Sequence, residues 1–370
     1  MNARTWFSNL LLPAGITPNG PKLYDPQIHN SKLYSRVRWQ GTLGLGEAYV
    51  DGWWDCQQID QLFYQALSFG LEDRFALSLP LLLGAVRARL TNQQTIKRAF
   101  DVGEAHYDLG NDLFEAMLGP SMAYSCGYWK DADNLNDAQL AKYELICRKL
   151  SLEKGMTVLD IGCGWGGLAQ YMATRYGVKV IGLTVSRKQV EYAQRHYCDP
   201  AIDIRFQDYR SFNQRVDRVV SIGMWEHIGP KNYRTAMQVV RRSLPDDGLF
   251  LLHTIGNPRS VMAIDPWVSK YIFPGGMLPS LKWLAQSAEG LFIIEDLHNF
   301  GAYYDPTLMA WYDNFDKAWP NLKRRYDERF HRMWRLYLLS CAGGFRARSI
   351  ELWQLVLSPK GVIGGYQSIR

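Results

Sequence analysis

Residues Thr157-Val-Leu-Asp-Ile161 run straight into Gly162-Cys-Gly164-Trp-Gly166-Gly167. A short apolar run that ends in clustered glycines reads as a buried strand entering a tight loop. Without a Cβ, glycine lets such a loop turn sharply and bring its backbone against a ligand. The next stretch, Leu168–Tyr176, carries helical spacing, and Val178–Leu183 is a second apolar run. Further out, strand candidates lie at Ile202–Phe206, Arg218–Ile222, Leu249–His253, Leu291–Glu295 and Leu352–Leu357, with helical patterns such as Arg187–His196 and Tyr233–Leu244 between them. Alternating strands and helices predict an α/β protein with a parallel, doubly wound sheet and its sites at the carboxyl ends of the strands.

Gly162, Gly164 and Gly167 fit the spacing G-x-G-x-x-G, a weak signal taken alone. Two details argue against a dinucleotide. Asp160 precedes the first glycine on the strand, and the second strand ends in Leu183-Thr184-Val185-Ser186, without the acid that grips an adenosine ribose. The D-x-G-x-G pattern after a strand resembles motif I of the class I S-adenosylmethionine (SAM) methyltransferases. That resemblance implies a Rossmann-like sheet and SAM as cofactor, with Asp160, Gly162, Gly164 and Gly167 at its loop. The hydroxyls of Thr184 and Ser186, with Gln189, are candidates to replace the missing acid. Gln207-Asp208-Tyr209 follows the third strand, where such folds hold the adenine edge.

The wider composition narrows the setting. The 370 residues carry a formal net charge of +6, with 47% hydrophobic and 13% aromatic residues, which excludes a disordered chain and suggests anionic partners. The most apolar charge-free run, Phe75–Val86, contains Pro80 and is only twelve residues long; a membrane span needs ~20. The six cysteines form no CxxC pair or metal-ligand spacing, which points to a reduced, intracellular protein without structural zinc. Up to about residue 90, Gly/Pro punctuation such as Gly41-Thr-Leu-Gly44-Leu-Gly46 predicts a small mixed domain, separate from residues 91–370 and joined by a linker near 85–105. Arg74–Arg98 holds five basic residues and no acid, interleaved with leucines, a pattern that fits either a core helix with a solvated linker or a basic element resting on anionic lipid. Arg324, Arg325, Arg329, Arg332 and Arg335 read as a solvated helix face, and the aromatics of Trp311–Trp319 as core.

A more specific resemblance rests on many ordered segments. These are His106-Tyr107-Asp108-Leu-Gly-Asn111-Asp112, Tyr124-Ser125-Cys126-Gly127-Tyr128-Trp129, Val158–Gly167, Gly223-Met-Trp-Glu226-His227-Ile-Gly229, Phe250-Leu-Leu-His253-Thr-Ile255-Gly256, Tyr271-Ile-Phe-Pro-Gly-Gly276 and His298-Asn-Phe-Gly301-Ala-Tyr303-Tyr304-Asp305. Across residues 100–370 the chain resembles the cyclopropane-fatty-acyl-phospholipid synthases and the related mycolic acid cyclopropane synthases. The N-terminal part is similar to the extra domain of the phospholipid-acting members. The resemblance implies transfer of a methylene from SAM to a cis double bond of an acyl chain in membrane phospholipid. It implies a bacterial protein of the cytoplasm held peripherally at the inner membrane face, a homodimer through or near its N-terminal domain, and no nucleic-acid partner. It also adds Tyr107, Tyr124 and Ser125 to the cofactor-binding set.

An alkene is a weak nucleophile, so the sulfonium methyl must be held close to it with water excluded. Methyl transfer leaves a carbocation, and a base must then take a proton from the new methyl for the ring to close. The site is therefore expected to be aromatic and apolar, with Trp129, Tyr271, Phe273 and Tyr303 as candidate lining. In the resembled family the base is bound bicarbonate, which carries over to Cys126, Glu226, His253, the Ile255 backbone and Tyr304. The histidine, tyrosine, thiol and backbone N–H can donate to an anion, whereas an ionised Glu226 can only accept, so it is expected to position the base and pass the proton onward. His227 reads as a structural hydrogen-bonder. The alternative activity is a SAM-dependent fatty-acyl C-methyltransferase that makes a methyl- or methylene-branched chain.

Overall fold

A computed structural model describes residues 1–71, 110–262 and 264–370. Tyr107, the basic Arg74–Arg98 segment and the expected domain linker lie outside the described residues. By contact the chain forms two compact units that interleave in sequence. The described parts of the first are residues 1–71, 261–262, 264–276 and 304–350, and those of the second are residues 110–260, 277–303 and 351–370.

Two-residue strands β1 (Gln27–Ile28) and β2 (Trp54–Asp55) pair antiparallel in the first unit. The other strands are β3 (Thr157–Ile161), β4 (Lys179–Thr184), β5 (Ile202–Phe206), β6 (Arg218–Ile222), β7 (Leu249–Gly256), β8 (Ile293–Asn299) and β9 (Glu351–Ser358). They make the second unit's seven-stranded sheet, in the order β5-β4-β3-β6-β7-β9-β8. β3 to β7 are mutually parallel, as the alternation predicts. β9 departs from the expected parallel sheet: it inserts between β7 and β8 and runs antiparallel to both. An apolar run reports burial on both faces but not chain direction, so Leu352–Leu357 gave no sign of this.

Neighbouring residues on each central strand feed opposite faces of the sheet. Leu159, Ile161, Val219, Phe250 and Leu252 pack with Tyr233, Met237 and Val240 of the helix Pro230–Ser243. Val158, Val180, Val220, Leu249 and Leu251 pack on the other face with Leu168 and Met172 of the helix Gly167–Tyr176 and Ile146 of the helix Leu135–Lys149. The parity continues past the apolar core. His253, two residues beyond Leu251, and Gln354, two before Val356, belong to the face covered by Leu135–Lys149.

The first unit is chiefly helical. Its glycine run lies inside a helix: Gly41 to Gly46 belong to Lys32–Val50, which breaks only at Gly41 (φ 59°, ψ −136°). Of the arginines expected as a solvated face, Arg324 and Arg325 are exposed, whereas the others engage the start of the unit. Arg329 pairs with Asp51, Arg332 donates to the Tyr49 and Trp54 carbonyls and to Asp55, and Arg335 donates to the Tyr49 hydroxyl and the Cys56 carbonyl. The Arg332 guanidinium also lies 4.1 Å from the Tyr49 ring centroid. A one-dimensional charge pattern cannot show that one face of the helix Glu328–Arg346 meets carbonyls left open around β2. Arg332→Met should therefore destabilise this unit by about 2–3 kcal/mol, from lost charged hydrogen bonds and the cation–π contact. A denaturation midpoint unchanged from wild type would remove the clamp from the stability account.

Candidate active site

The loop after β3 is built as a cofactor cradle requires. The N–H groups of Gly162 and Cys163 both donate to the Leu183 carbonyl, at 2.9 and 3.0 Å, which ties the loop to the end of β4. Gly162 (φ 84°) and Gly164 (φ 58°) take left-handed conformations that side chains resist. Gly167 answers to space instead: a Cβ there would collide with the Ser121 carbonyl and approach the Tyr143 hydroxyl to 2.9 Å. Trp165, between them, donates to Asn111 and packs on Phe114, whose ring in turn meets Tyr124. Tyr124 is thereby joined to the glycine loop through an aromatic chain.

Asp160 is only 2% exposed, and burial pushes its carboxyl up to about 7. Thr184, Ser186 and Gln189 come together at the end of β4. Thr184 donates to Gln189 Oε1 at 2.6 Å and accepts from the Ser186 N–H, while Ser186 caps the helix Arg187–His196 by accepting from the Gln189 N–H. Gln207 reaches this turn through its N–H to the Thr184 carbonyl. The Asp208 carboxylate is held by two guanidinium contacts from Arg210, both 2.8 Å. Tyr209 is buried, and its hydroxyl has no partner among the described residues.

A second cluster forms where β6 and β7 end. Glu226, on the short helix Trp225–Ile228, is 7% exposed and accepts the Ile255 N–H on Oε1 at 2.6 Å. This differs from the expectation for Ile255, whose N–H is engaged by the carboxylate. A buried carboxylate needs donors, and the end of the strand supplies one. Burial pushes the Glu226 carboxyl up to about 7, opposed by hydrogen bonds to the backbone and Thr254. Its second oxygen, Oε2, has no partner among the described residues.

His253 is 1% exposed on β7, and its Nδ1 lies 3.2 Å from the Gln354 amide nitrogen on β9. Its Nε2 is buried without a partner among the described residues. Burial drives its pKa well below the ordinary histidine value, and the charges of Lys142, Lys149 and His298 push the same way, so the imidazole is neutral. Cys126 is fully buried, its thiol donating to the Gly127 carbonyl at 3.2 Å. Next to it, the Ser125 hydroxyl accepts from Lys142 Nζ at 2.7 Å. Of the other expected groups, Tyr304 belongs to the helical unit, where its ring stacks on Phe345 at 4.4 Å. Tyr303 belongs to the sheet unit and packs on Tyr128 and Phe300. Tyr271 is 38% exposed and donates to Glu47, a position at the surface of its unit rather than deep in an apolar lining.

Sequence reading missed the buried polar groups around His253. Lys142 is fully buried, donates to Ser125 and to Gln139 Oε1 (2.5 Å), and is pulled down to about 7 by that burial. Lys149 lies one heptad further on, pulled down by burial to about 8 beside Asp296 and His298. The available signal was positional: Lys142 and Lys149 share the helical stripe of Ala138, Leu145 and Ile146, where core residues belong. Gln354 carried a similar signal, as the one amide in the apolar run Leu352–Leu357.

Residues 94–355 match the family model described as mycolic acid cyclopropane synthetase. A cyclopropane-fatty-acyl-phospholipid synthase of Escherichia coli K12 is 53% identical over 363 residues, covering 98% of this chain and 95% of the relative. A cyclopropane synthase of Mycobacterium tuberculosis superposes with a TM-score of 0.66 at 32% identity, covering 70% of this chain and 98% of its own. A mycolic acid cyclopropane synthase solved with SAH and CTAB gives a TM-score of 0.65, also at 32% identity, with 70% of this chain and 98% of its own covered.

Proposed function

The chain belongs to the mycolic acid cyclopropane synthetase family, and from that membership we propose that it adds a methylene from SAM across a cis double bond of acyl chains in membrane phospholipid, with bicarbonate as the base. It is a SAM-dependent transferase. The observation that carries the phospholipid reading is the reach of the 53% identity: it extends over 98% of the chain, whereas the mycobacterial structures cover 70%. Similarity to the phospholipid synthase therefore includes the N-terminal residues that precede the family-matched region 94–355.

The residues at the end of β7 suit bicarbonate. His253 Nε2 and Glu226 Oε2 are buried polar atoms in need of partners. With Nδ1 accepting from Gln354, Nε2 carries a proton and donates, while Glu226 accepts. Bicarbonate offers bare oxygens that accept from such a donor and an O–H that donates to such an acceptor. When bound, SAM supplies the electrophilic methyl and bicarbonate the proton acceptor. The protein's part is to hold and to shield. The loop from Asp160 to Gly167 holds the co-substrate. Glu226, fixed through Oε1 by the Ile255 N–H, keeps Oε2 available to orient the base and take its proton onward. Buried aromatic and apolar side chains exclude the water that would trap a carbocation as an alcohol.

Mass spectrometry of vesicle phospholipids incubated with enzyme and SAM tests this. Each modified chain should gain the mass of one methylene and lose its reactivity as an alkene. Unchanged lipid would sink the proposal, and an acyclic branched product would identify the acyl C-methyltransferase instead. Rigorously carbonate-free buffer should slow the reaction; an unaltered rate would move the base to a side chain. We also place the enzyme at an anionic bilayer surface, on the strength of its +6 charge and ~1 kcal/mol of attraction per basic residue near such a surface. No helix among the described residues is long and apolar enough to cross a membrane. Vesicle binding should weaken with salt and with neutral lipid, and salt-independent binding would contradict the electrostatic part.

A further inference from the structure

We propose that Gln354 is a positioning residue that donates its side-chain amide to His253 Nδ1 and so fixes the imidazole in the tautomer with its proton on Nε2. The consequence for catalysis rests on the bicarbonate reading above; the tautomer itself does not.

The placement follows from the sheet. β7 and β9 pair antiparallel with His253 directly opposite Gln354, so both side chains emerge on the same face. That face is the one covered by the helix Leu135–Lys149, and the two residues are 1% and 0% exposed. The Gln354 amide nitrogen lies 3.2 Å from His253 Nδ1. A second contact holds the ring: Phe300 meets it edge to face, with centroids 5.6 Å apart at 69°. With the amide nitrogen facing it, Nδ1 is the acceptor and a neutral ring carries its proton on Nε2, while Gln354 Oε1 has no partner among the described residues. Burial and the nearby Lys142, Lys149 and His298 charges keep the ring neutral. Nε2 is thus a buried N–H without a partner among the described residues, the kind of exception that marks a ligand contact. The opposite tautomer would present a lone pair at Nε2, which repels an anion's oxygen.

β9 is the strand that breaks the parallel order of the sheet, and this gives its insertion a chemical use. A parallel neighbour at that place would arrive through a crossover with another register. The antiparallel pairing sets one residue squarely across from His253, and that residue is an amide.

The test begins with 15N NMR of histidine-labelled enzyme, the His253 signals being assigned by their loss in His253→Asn. Wild type should show a bare Nδ1 and a protonated Nε2. A protonated Nδ1 would overturn the proposal outright, whatever the base proves to be. Gln354→Met keeps the volume and removes the donor; it should yield a mixture of tautomers and raise the bicarbonate concentration for half-maximal rate by about tenfold, with the KM for SAM little changed. Gln354→Glu should draw the proton to Nδ1 and lose more activity than Gln354→Met. A Gln354→Met protein with wild-type tautomer and wild-type bicarbonate dependence would also overturn the assignment. Should either variant fail to fold, the wild-type spectrum still decides. A wild-type rate indifferent to bicarbonate, with the expected tautomer present, would instead remove the bicarbonate reading and leave Gln354's hold on His253 intact.

Discussion

Glu226→Gln should slow ring formation by about two to four orders of magnitude, the range for removing a positioned acid–base group, while SAM affinity stays within about twofold. The substitution is nearly isosteric. A glutamine oxygen at Oε1 can still accept the Ile255 N–H, so the local geometry survives. What changes is the other end of the group, where a buried oxygen able to take a proton becomes an amide that cannot. The glycine loop proposed to hold the co-substrate follows β3 and is anchored to Leu183 on β4, and no hydrogen bond joins it to Glu226 among the described residues. Rate and affinity should therefore separate. Equal loss of both, in single-turnover rates and calorimetric SAM binding, would withdraw the role given to Glu226.

The same residue sets an expected pH dependence. Burial lifts the Glu226 carboxyl to about 7, and only its ionised form can accept a proton. Activity should fall as pH drops through about 7, because the protonated fraction of Glu226 rises. Bicarbonate titrates in a similar region, so the informative comparison is with the variant. Residual activity of Glu226→Gln should lose the part of the acid limb that belongs to the carboxyl. A limb of identical shape and midpoint in both proteins would assign it to another group.

The parts legible in the sequence were those fixed by local pattern. The strands at Thr157–Ile161, Ile202–Phe206 and Arg218–Ile222 and the helix Arg187–His196 agree with their apolar runs and periodicity. The glycine loop was readable because its φ angles demand glycine at Gly162 and Gly164. The rest depends on contacts between distant segments. Nothing local to Leu352–Leu357 indicates that β9 reverses direction, and nothing local to Gln354 indicates that it meets His253, 101 residues away. Arg332 read as a surface charge because its partners, the Tyr49 and Trp54 carbonyls, are invisible to composition. Lys142 and Lys149 stood on a core stripe in plain view. A lysine there is far more often a long side chain reaching out to solvent than a buried cation, and only the packing distinguishes the two.

Asp160→Asn should move stability and co-substrate binding in opposite directions. Asp160 is 2% exposed, and burial raises its carboxyl from 3.8 to about 7. Below about pH 4 the group is protonated in both folded and unfolded chains and costs nothing. Between about 4 and 7 the unfolded chain ionises while the folded one keeps its proton, so wild-type stability falls as pH rises. Above about 7 the cost is complete, on the order of several kcal/mol for a shift of this size. Asparagine removes that term. The variant should melt above wild type at pH 8, and the difference should close as pH approaches 4. Binding should respond the other way, because SAM carries positive charge and an ionised carboxylate next to the loop favours it. That coupling also means that SAM draws the Asp160 pKa down, so wild type should bind more tightly above pH 7 and release a proton on binding near it. Asparagine offers neither the charge nor the proton. Its SAM affinity at pH 8 should be lower by about tenfold or more, the effect of losing one close opposite charge, and should vary little with pH. Calorimetry at pH 6 and 8, in buffers of different ionisation enthalpy, reads both affinity and proton release. A variant that binds SAM as tightly as wild type, with the same proton release, would show that Asp160 shapes the loop without acting through its charge. A variant less stable at pH 8 would show that its carboxylate is already compensated before the co-substrate arrives. With both expected results, the end of β3 holds a strained acid whose destabilisation of the free protein is relieved when the sulfonium ligand binds.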